Sequence, residues 1–230
     1  VLHQRAALLK RAAAQVKRGY APDLATLDIW DEQLAALAAR LIAARARLVD
    51  QLGPLAERAH EGVSSAARRL SLGYEASLAR YVPGVDLTDE PSVEAALHDA
   101  YQQLRDDETR RGVNLVGAHR DDLNTWLDDM PVRGFASHGE TWSVALALRL
   151  AQFEILRADG PTPILMLDDV FAELDETRRL ALLSVIGEAD QVLVTAAVGQ
   201  DVPAELDATI YHVGLGEDGF TQIRREGADE

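Results

Sequence analysis

Apolar residues recur at helical spacing from the start of the chain, where Leu2, Leu8, Leu9 and Val16 are punctuated by Arg5, Lys10, Arg11, Lys17 and Arg18. Val1 is not a methionine and the helical pattern is already under way, so the chain is expected to begin partway through a protein. After a break at residues 19–22, a second helix is predicted from near Asp28 or Asp31. Leu34, Leu41, Leu48 and Leu55 repeat every seven residues, Trp30, Leu37 and Ala44 fill the alternate seam, and Gly53-Pro54 marks the predicted end. Over three heptads this is a coiled-coil-like pattern, but an ordinary amphipathic helix packed on its neighbours explains it as simply. A further helical stretch is predicted over residues 55–70, and residues 72–82 form a short strand candidate. Val93, Ala96, Leu97, Ala100, Tyr101 and Leu104 then define an amphipathic helix from Ser92, and residues 113–116 are a second strand candidate.

The next helix, over residues 141–158, carries Trp142, Val144, Leu146, Leu148, Leu150, Phe153, Ile155 and Leu156. These go most of the way round, which predicts a buried helix rather than an amphipathic one. Ile164, Leu165, Met166 and Leu167, bounded by Pro161 and Pro163 on one side and two acids on the other, predict a strand buried on both faces. A helix over residues 176–188, with Leu180, Leu183 and Ile186 inward, and a strand over 191–197 complete a right-handed strand-helix-strand unit with parallel strands. Residues 209–213 and 220–224 are expected to close the chain as a hairpin around the glycine-rich 214–219. The class is therefore α/β with a separate helical part.

Charge refines this picture. The 230 residues carry a net charge of −15, which argues against a protein coated in nucleic acid, yet residues 1–80 hold 12 Lys+Arg against 8 Asp+Glu and residues 81–230 hold 11 against 30. Any contact with DNA is thus expected to lie on the N-terminal part. There is no cysteine, hence no disulfide or thiolate metal site. Neither a signal peptide nor a run of about 18 apolar residues occurs, so a cytoplasmic protein with no membrane span is the default expectation.

Two stretches carry candidate chemistry. Ser137-His138-Gly139-Glu140 has capping-box spacing, and a helix start with a hydroxyl and a glycine beside it also offers backbone N–H groups to a phosphate. Asp168 and Asp169 sit at the carboxyl end of the predicted strand, the edge at which open α/β sheets gather ligands and at which an aspartate holds Mg²⁺ in P-loop NTPases. The alternative is a pair of solvated acids at a strand end. Other chemistries fail on spacing. His119-Arg120-Asp121 lacks the kinase asparagine five residues on, where Trp126 stands; no histidines are paired for zinc; and no Gly-x-Ser-x-Gly elbow occurs. A Gly-x-x-x-x-Gly-Lys-[Ser/Thr] loop is missing too, the nearest spacing, Gly112 to Gly117, being followed by Ala118 and His119.

The order Ser-x-Gly-Glu, strand with two acids, then Glu173-Leu174-Asp175 resembles the signature, Walker B and D-loop of the ABC-type ATPases of DNA repair. Within that group Gly117-Ala118-His119-Arg120-Asp121-Asp122-Leu123 is similar to the Gly-Pro-His-Arg-Asp-Asp-Leu stretch of the RecF family, and residues 2–10 to its Leu-x-Gln-Arg-Asn-x-Leu-Leu-Lys helix. The resemblance covers nearly the whole chain. It implies the C-terminal part of a RecF-like ATPase: a helical arm and connecting region over residues 1–110, and the second lobe of the ATPase head over 111–230, without the N-terminal Walker A lobe.

Further implications follow from the same resemblance. ATP and Mg²⁺ would be bound in an ATP-dependent homodimer, with Ser137, Gly139 and Glu140 closing on the partner's nucleotide, Asp168 on the metal and Asp169 on the attacking water. Asp175 would act across the dimer and Thr195 near the γ-phosphate, where transporters often carry histidine and RecF-like proteins threonine. His119, Arg120 and Asp121 would contact the head or nucleotide, and Arg40, Arg45 and Arg47 are candidates for DNA contact. The implied function is DNA replication and recombinational repair, within the SOS response: loading recombinase at junctions of single- and double-stranded DNA, with RecR as partner and weak ATPase activity only when the missing lobe is present. Another ABC/SMC-like repair ATPase, with longer coiled coils, and a non-catalytic interaction domain are the alternatives.

Overall fold

The computed structural model describes residues 1–64, 68–174, 176–187, 189–199, 202–203, 205–216 and 218–227. Packing groups them into two units, Val1–Pro161 and Thr162–Glu230.

The first unit is built round one long helix. α1 (Leu2–Lys17) precedes α2 (Leu27–Val63), whose 37 residues span about 55 Å at 1.5 Å per residue. α2 runs through Gly53-Pro54, where the sequence predicts an end. A proline inside a helix loses one backbone hydrogen bond and crowds the carbonyl four residues before it. Here burial on both sides, at Ala46 before it and at Ala56, His60 and Val63 after it, holds the helix through the defect. The buried stripe of Leu27, Asp31, Leu34, Ala35, Ala38, Ala39, Ile42, Ala43 and Ala46 has ordinary 3.6-residue periodicity. Leu37, Leu41 and Leu48 of the heptad pattern are 52%, 44% and 47% exposed, so α2 packs on its neighbours as an amphipathic helix through its other stripe and these heptad positions face outward.

Against α2 lie α1, α3 (Glu90–Arg111) and α4 (His138–Asp159). α3 starts at Asp89, whose side chain accepts from the Ser92 N–H, and ends at Gly112 in the left-handed region, φ 72°. Its inner residues Val93, Leu97, Ala100 and Tyr101 join Ala35, Ala39, Ile42, Leu78 and Val116 in the main core. Three antiparallel strands adjoin the helices: β1 (Leu70–Glu75), β2 (Asp122–Leu127) and β3 (Met130–Pro131), in register from Leu70 opposite Leu127 to Glu75 opposite Asp122. Pattern analysis misses β2 and places a strand at 113–116 instead. That segment is pinned as a loop, because Asn114 Oδ1 accepts from Arg5 and the Leu115 N–H donates to Glu108. α4 also departs from expectation: Val144, Ala147, Leu150, Ala151 and Phe153 are buried, while Thr141, Ala145, Arg149, Gln152 and Leu156 form an exposed stripe, so the helix is amphipathic in this chain.

In the second unit β4 (Leu165–Asp168) and β5 (Val192–Thr195) pair in parallel, from Leu165 opposite Val192 to Asp168 opposite Thr195, with α5 (Glu176–Ile186) between them in sequence. Leu167, Phe171, Leu174, Leu182 and Ile186 are buried, whereas Leu180, expected to face inward, is 54% exposed. The strand expected to be covered on both faces is covered on one. Side chains alternate along a strand, and the face bearing Ile164, Met166 (74% exposed) and Leu193 stands open. β6 (Tyr211–Leu215) and β7 (Thr221–Arg225) form the expected antiparallel hairpin, with Val213, Leu215 and Ile223 also open. Among the described residues no helix is long and apolar enough to cross a membrane.

Candidate functional site

The signature-like segment is a complete capping box at the start of α4. Ser137 Oγ accepts from the Glu140 N–H at 3.3 Å, and the Glu140 carboxylate accepts from the Ser137 N–H at 2.8 Å. The other carboxylate oxygen takes the Arg68 guanidinium at 2.9 Å. Bonds from Ser137, then Arg68, hold the Glu140 carboxyl down to about 2, so it stays ionised in ordinary buffers. Ser137 and Glu140 are thereby committed to shaping the helix start. Gly139 is not committed to packing: a Cβ built there meets nothing within 4 Å. The chain's own fold leaves the approach to Gly139 open, and a helix start favours an anion.

In the second unit the ends of β4 and β5 bring three predicted residues together. Thr195 Oγ1 donates to Asp168 Oδ1, and the Asp169 N–H donates to the Thr195 carbonyl at 3.1 Å. Asp169 has a left-handed backbone, φ 53°, and begins the 3-10 turn Val170–Glu173; such a conformation in a residue other than glycine is uncommon and is held by its surroundings. Both carboxylates are exposed. Among the described residues no group of three or more His, Cys, Asp or Glu could hold a metal ion by itself. Two carboxylates at a strand edge nonetheless suit Mg²⁺, which keeps several waters and takes one or two carboxylates besides substrate phosphates. Asp168, with one oxygen left by Thr195, and Asp169 are the residues that fit. Asp175 lies outside the described residues.

The stretch of residues 117–122 is a turn fastened from several sides. Gly117 has φ 126°, a conformation side chains rarely adopt, and its N–H donates to Ser77 Oγ at 3.1 Å. Arg120 donates twice to the Asn114 carbonyl, at 3.1 and 2.8 Å. Asp121 accepts from the Ser77 N–H at 2.7 Å and from the Tyr74 hydroxyl at 2.5 Å, and burial, reinforced by that bond, pushes the Tyr74 hydroxyl up. Arg120 and Asp121 therefore serve the turn itself. His119 is left on the exposed side, its ring held below the usual value chiefly by desolvation against an opposing hydrogen bond to Asn114.

Arg45, a DNA candidate by sequence, donates to the Ala118 carbonyl at 2.7 Å and so fastens the same turn. Arg47, exposed, donates to the Thr88 carbonyl at 2.6 Å; Arg40 is exposed too and alone of the three has no partner among the described residues. Pattern analysis also misses Arg5. Wholly buried, it reaches Asp31, Asn114 and Glu108, each at 2.6 Å, and its guanidinium carbon lies 4.6 Å from the centre of the Tyr101 ring. Desolvation opposes its charge, but Glu108 and Asp31 outweigh that and raise its pKa. Through Asn114 it braces the 117–122 turn from below. The available signal is helical phase, since Arg5 stands three and four residues before Leu8 and Leu9 on the buried face.

No family model matches the chain. It is 49% identical over 217 residues to the DNA replication and repair protein RecF of Frankia alni (strain DSM 45986 / CECT 9034 / ACN14a), covering 94% of this chain and 57% of that protein. Two structures of the recombination mediator protein RecF of the RecFOR pathway, with ATP and with ATPrS, each superpose with a TM-score of 0.74 at 25% identity, over 97% and 96% of this chain and 55% of theirs. The chain thus spans little more than half the length of the relatives it matches.

Proposed function

We propose, from the premise that this chain is the C-terminal part of a RecF-type protein, that it supplies the helical arm (residues 1–110) and the second head lobe (111–230) of an ATP-dependent DNA clamp. The observation that carries the reading is the joint end of β4 and β5, where Asp168, Asp169 and Thr195 converge with their carboxylates open to solvent.

Asp168, its rotamer fixed by Thr195, holds the metal side of the nucleotide; Mg²⁺, when bound, neutralises phosphate charge. Asp169, turned off the strand by its left-handed backbone, positions the attacking water, and Thr195 lies near the γ-phosphate. The Ser137–Gly139 segment closes on the nucleotide of a second protomer, with Gly139 open to its approach and Ser137 and Glu140 keeping the helix start in shape, and Asp175 acts across the dimer. His119 is the member of its turn that faces the nucleotide or the head; Arg120 and Asp121 hold it there. The open apolar face of Ile164, Met166 and Leu193 packs against the remaining, Walker A-bearing part of such a protein. Hydrolysis reopens the clamp, in the cytoplasm, at junctions of single- and double-stranded DNA where recombinase is loaded with RecR.

The decisive variant is Asp169→Asn in a protein containing the Walker A lobe. ATP binding should persist, single-turnover hydrolysis should fall by about 10²- to 10⁴-fold, and light scattering should show an accumulating ATP-bound dimer. Hydrolysis at the parent rate would remove Asp169 from this role and favour the non-catalytic interaction domain.

A further inference from the structure

Residues 1–22 contain five Lys+Arg and no Asp or Glu in a chain of net charge −15. One of the five, Arg5, is buried; the other four, Lys10, Arg11, Lys17 and Arg18, are exposed, and among the described residues none has an ion-pair partner. On α1 and its C-cap residue Arg18 they form two rows. Lys10 and Lys17 are seven residues apart, as are Arg11 and Arg18, which is about 10.5 Å along the axis and nearly two whole turns. Lys10 and Arg11 differ by about 100° in helical phase, so the rows flank a strip. Exposed Ala7 and Ala14 occupy that strip and, with Gln4, Lys10, Arg11 and Trp30, line a shallow groove of about 610 Å³.

We infer that this face of α1 is a docking surface for duplex DNA, engaged through its phosphates. The opposite face, with Leu8, Leu9, Ala12 and Ala13, is packed into the protein, so the outward face is held rigidly. An α-helix fits the major groove, whose edges are rows of phosphates. The two small alanines between the rows let the helix axis approach, while cations on both flanks reach either edge. Of the acids that follow in sequence, Asp23 accepts from the Ala25 N–H at 3.2 Å and makes no ion pair among the described residues, whereas Asp28 and Asp31 are engaged with Arg105, and Asp31 also with Arg5. A solvated basic helix needs neither two aligned rows nor a complete absence of carboxylates over 22 residues. The inference deepens the proposed DNA role by moving the contact from Arg45 and Arg47, which serve backbone carbonyls, to α1.

The test compares the 230-residue chain with Lys10→Gln/Arg11→Gln/Lys17→Gln/Arg18→Gln. A second fourfold variant, Arg58→Gln/Arg80→Gln/Arg133→Gln/Arg149→Gln, removes the same charge elsewhere. Fluorescence anisotropy of a labelled 30-base-pair duplex is followed against salt, with circular dichroism verifying the fold of each variant. Four phosphate contacts give the parent a slope of about −3.6 in log K against log salt, or about a hundredfold weakening between 50 and 200 mM. The α1 variant should lose most of that slope and the control variant little. A parent that binds no duplex at any salt would defeat the DNA reading itself. If the parent binds and both variants weaken equally, the reading stands and the α1 surface is overturned. A preference for single-stranded DNA abolished by Trp30→Ala, with the α1 variant unaffected, would overturn it equally, in favour of base stacking.

Discussion

Arg5→Met is the most informative single change in the arm. The methionine roughly matches the arginine stem in shape, so the volume survives while the charge and three hydrogen bonds go. What remains is uneven. Asp31 keeps Arg105 at 2.8 Å, but Glu108, fully buried, keeps only the Leu115 N–H at 2.7 Å. Removing one partner of a buried pair generally costs about 3–5 kcal/mol, because the other charge stays buried without compensation. That is a large part of the about 5–15 kcal/mol by which domains are stable.

All three tryptophans, Trp30, Trp126 and Trp142, lie in the first unit, so their fluorescence reports its unfolding. With a urea slope of about 2 kcal/mol/M, the midpoint should fall by about 2 M. Adding Glu108→Gln removes the stranded charge while leaving an acceptor for Leu115, so the double variant should recover more than half of the loss. Non-additivity of this sign is the signature of a coupled pair. If Arg5→Met cost under about 1 kcal/mol, or if the two changes simply added, the buried network would not be what ties α1, α2 and α3 together.

Other expectations follow from the same coordinates. Ser137→Ala removes the acceptor of the Glu140 N–H and should cost about 1 kcal/mol in urea unfolding. Gly117→Ala forces a side chain into φ 126° beside the His119 ring and should destabilise the 117–122 turn by about 1–3 kcal/mol, seen as faster amide exchange there. Because the folded His119 ring sits below its ordinary 6.5, it is neutral in both states at higher pH. As pH falls below 6.5 the unfolded chain takes up the proton first, so stability declines, and His119→Gln should remove that part of the slope. Since the sequence holds no Gly-x-x-x-x-Gly-Lys-[Ser/Thr] loop, calorimetry on this chain alone should show no micromolar ATP site, whose binding would be worth about −8.2 kcal/mol.

Some elements were legible because one local signal decided them. Residues 137–140 specify a capping box whatever lies around them, and the box is there. The strand-helix-strand order around Asp168 and Thr195 leaves parallel pairing as the economical arrangement, and the two residues are opposite each other. Elsewhere tertiary contacts overrode the local signal. Pro54 is a helix breaker whose cost is absorbed by burial on either side. Residues 113–116 have the apolar character of a strand, but Arg5 and Glu108, more than a hundred positions apart in sequence from their most distant partners, pin them as a loop.

The arginines show why site residues were harder to assign than elements. Periodicity places a guanidinium on a helix face; it does not say what that guanidinium bonds to. Arg5 falls on the buried face, yet as a charge it counts among the polar punctuation of α1. Arg45 and Arg47 fall off the heptad seam, where solvent or DNA is the natural partner, and each instead holds a backbone carbonyl that neither helix nor strand satisfies. Buried or loop carbonyls require donors from somewhere, and a long side chain on a neighbouring helix meets that need without leaving a trace in spacing. The cations still available to an outside phosphate are those left once such internal needs are met, which here include Arg40 on α2 and the four on the acid-free face of α1.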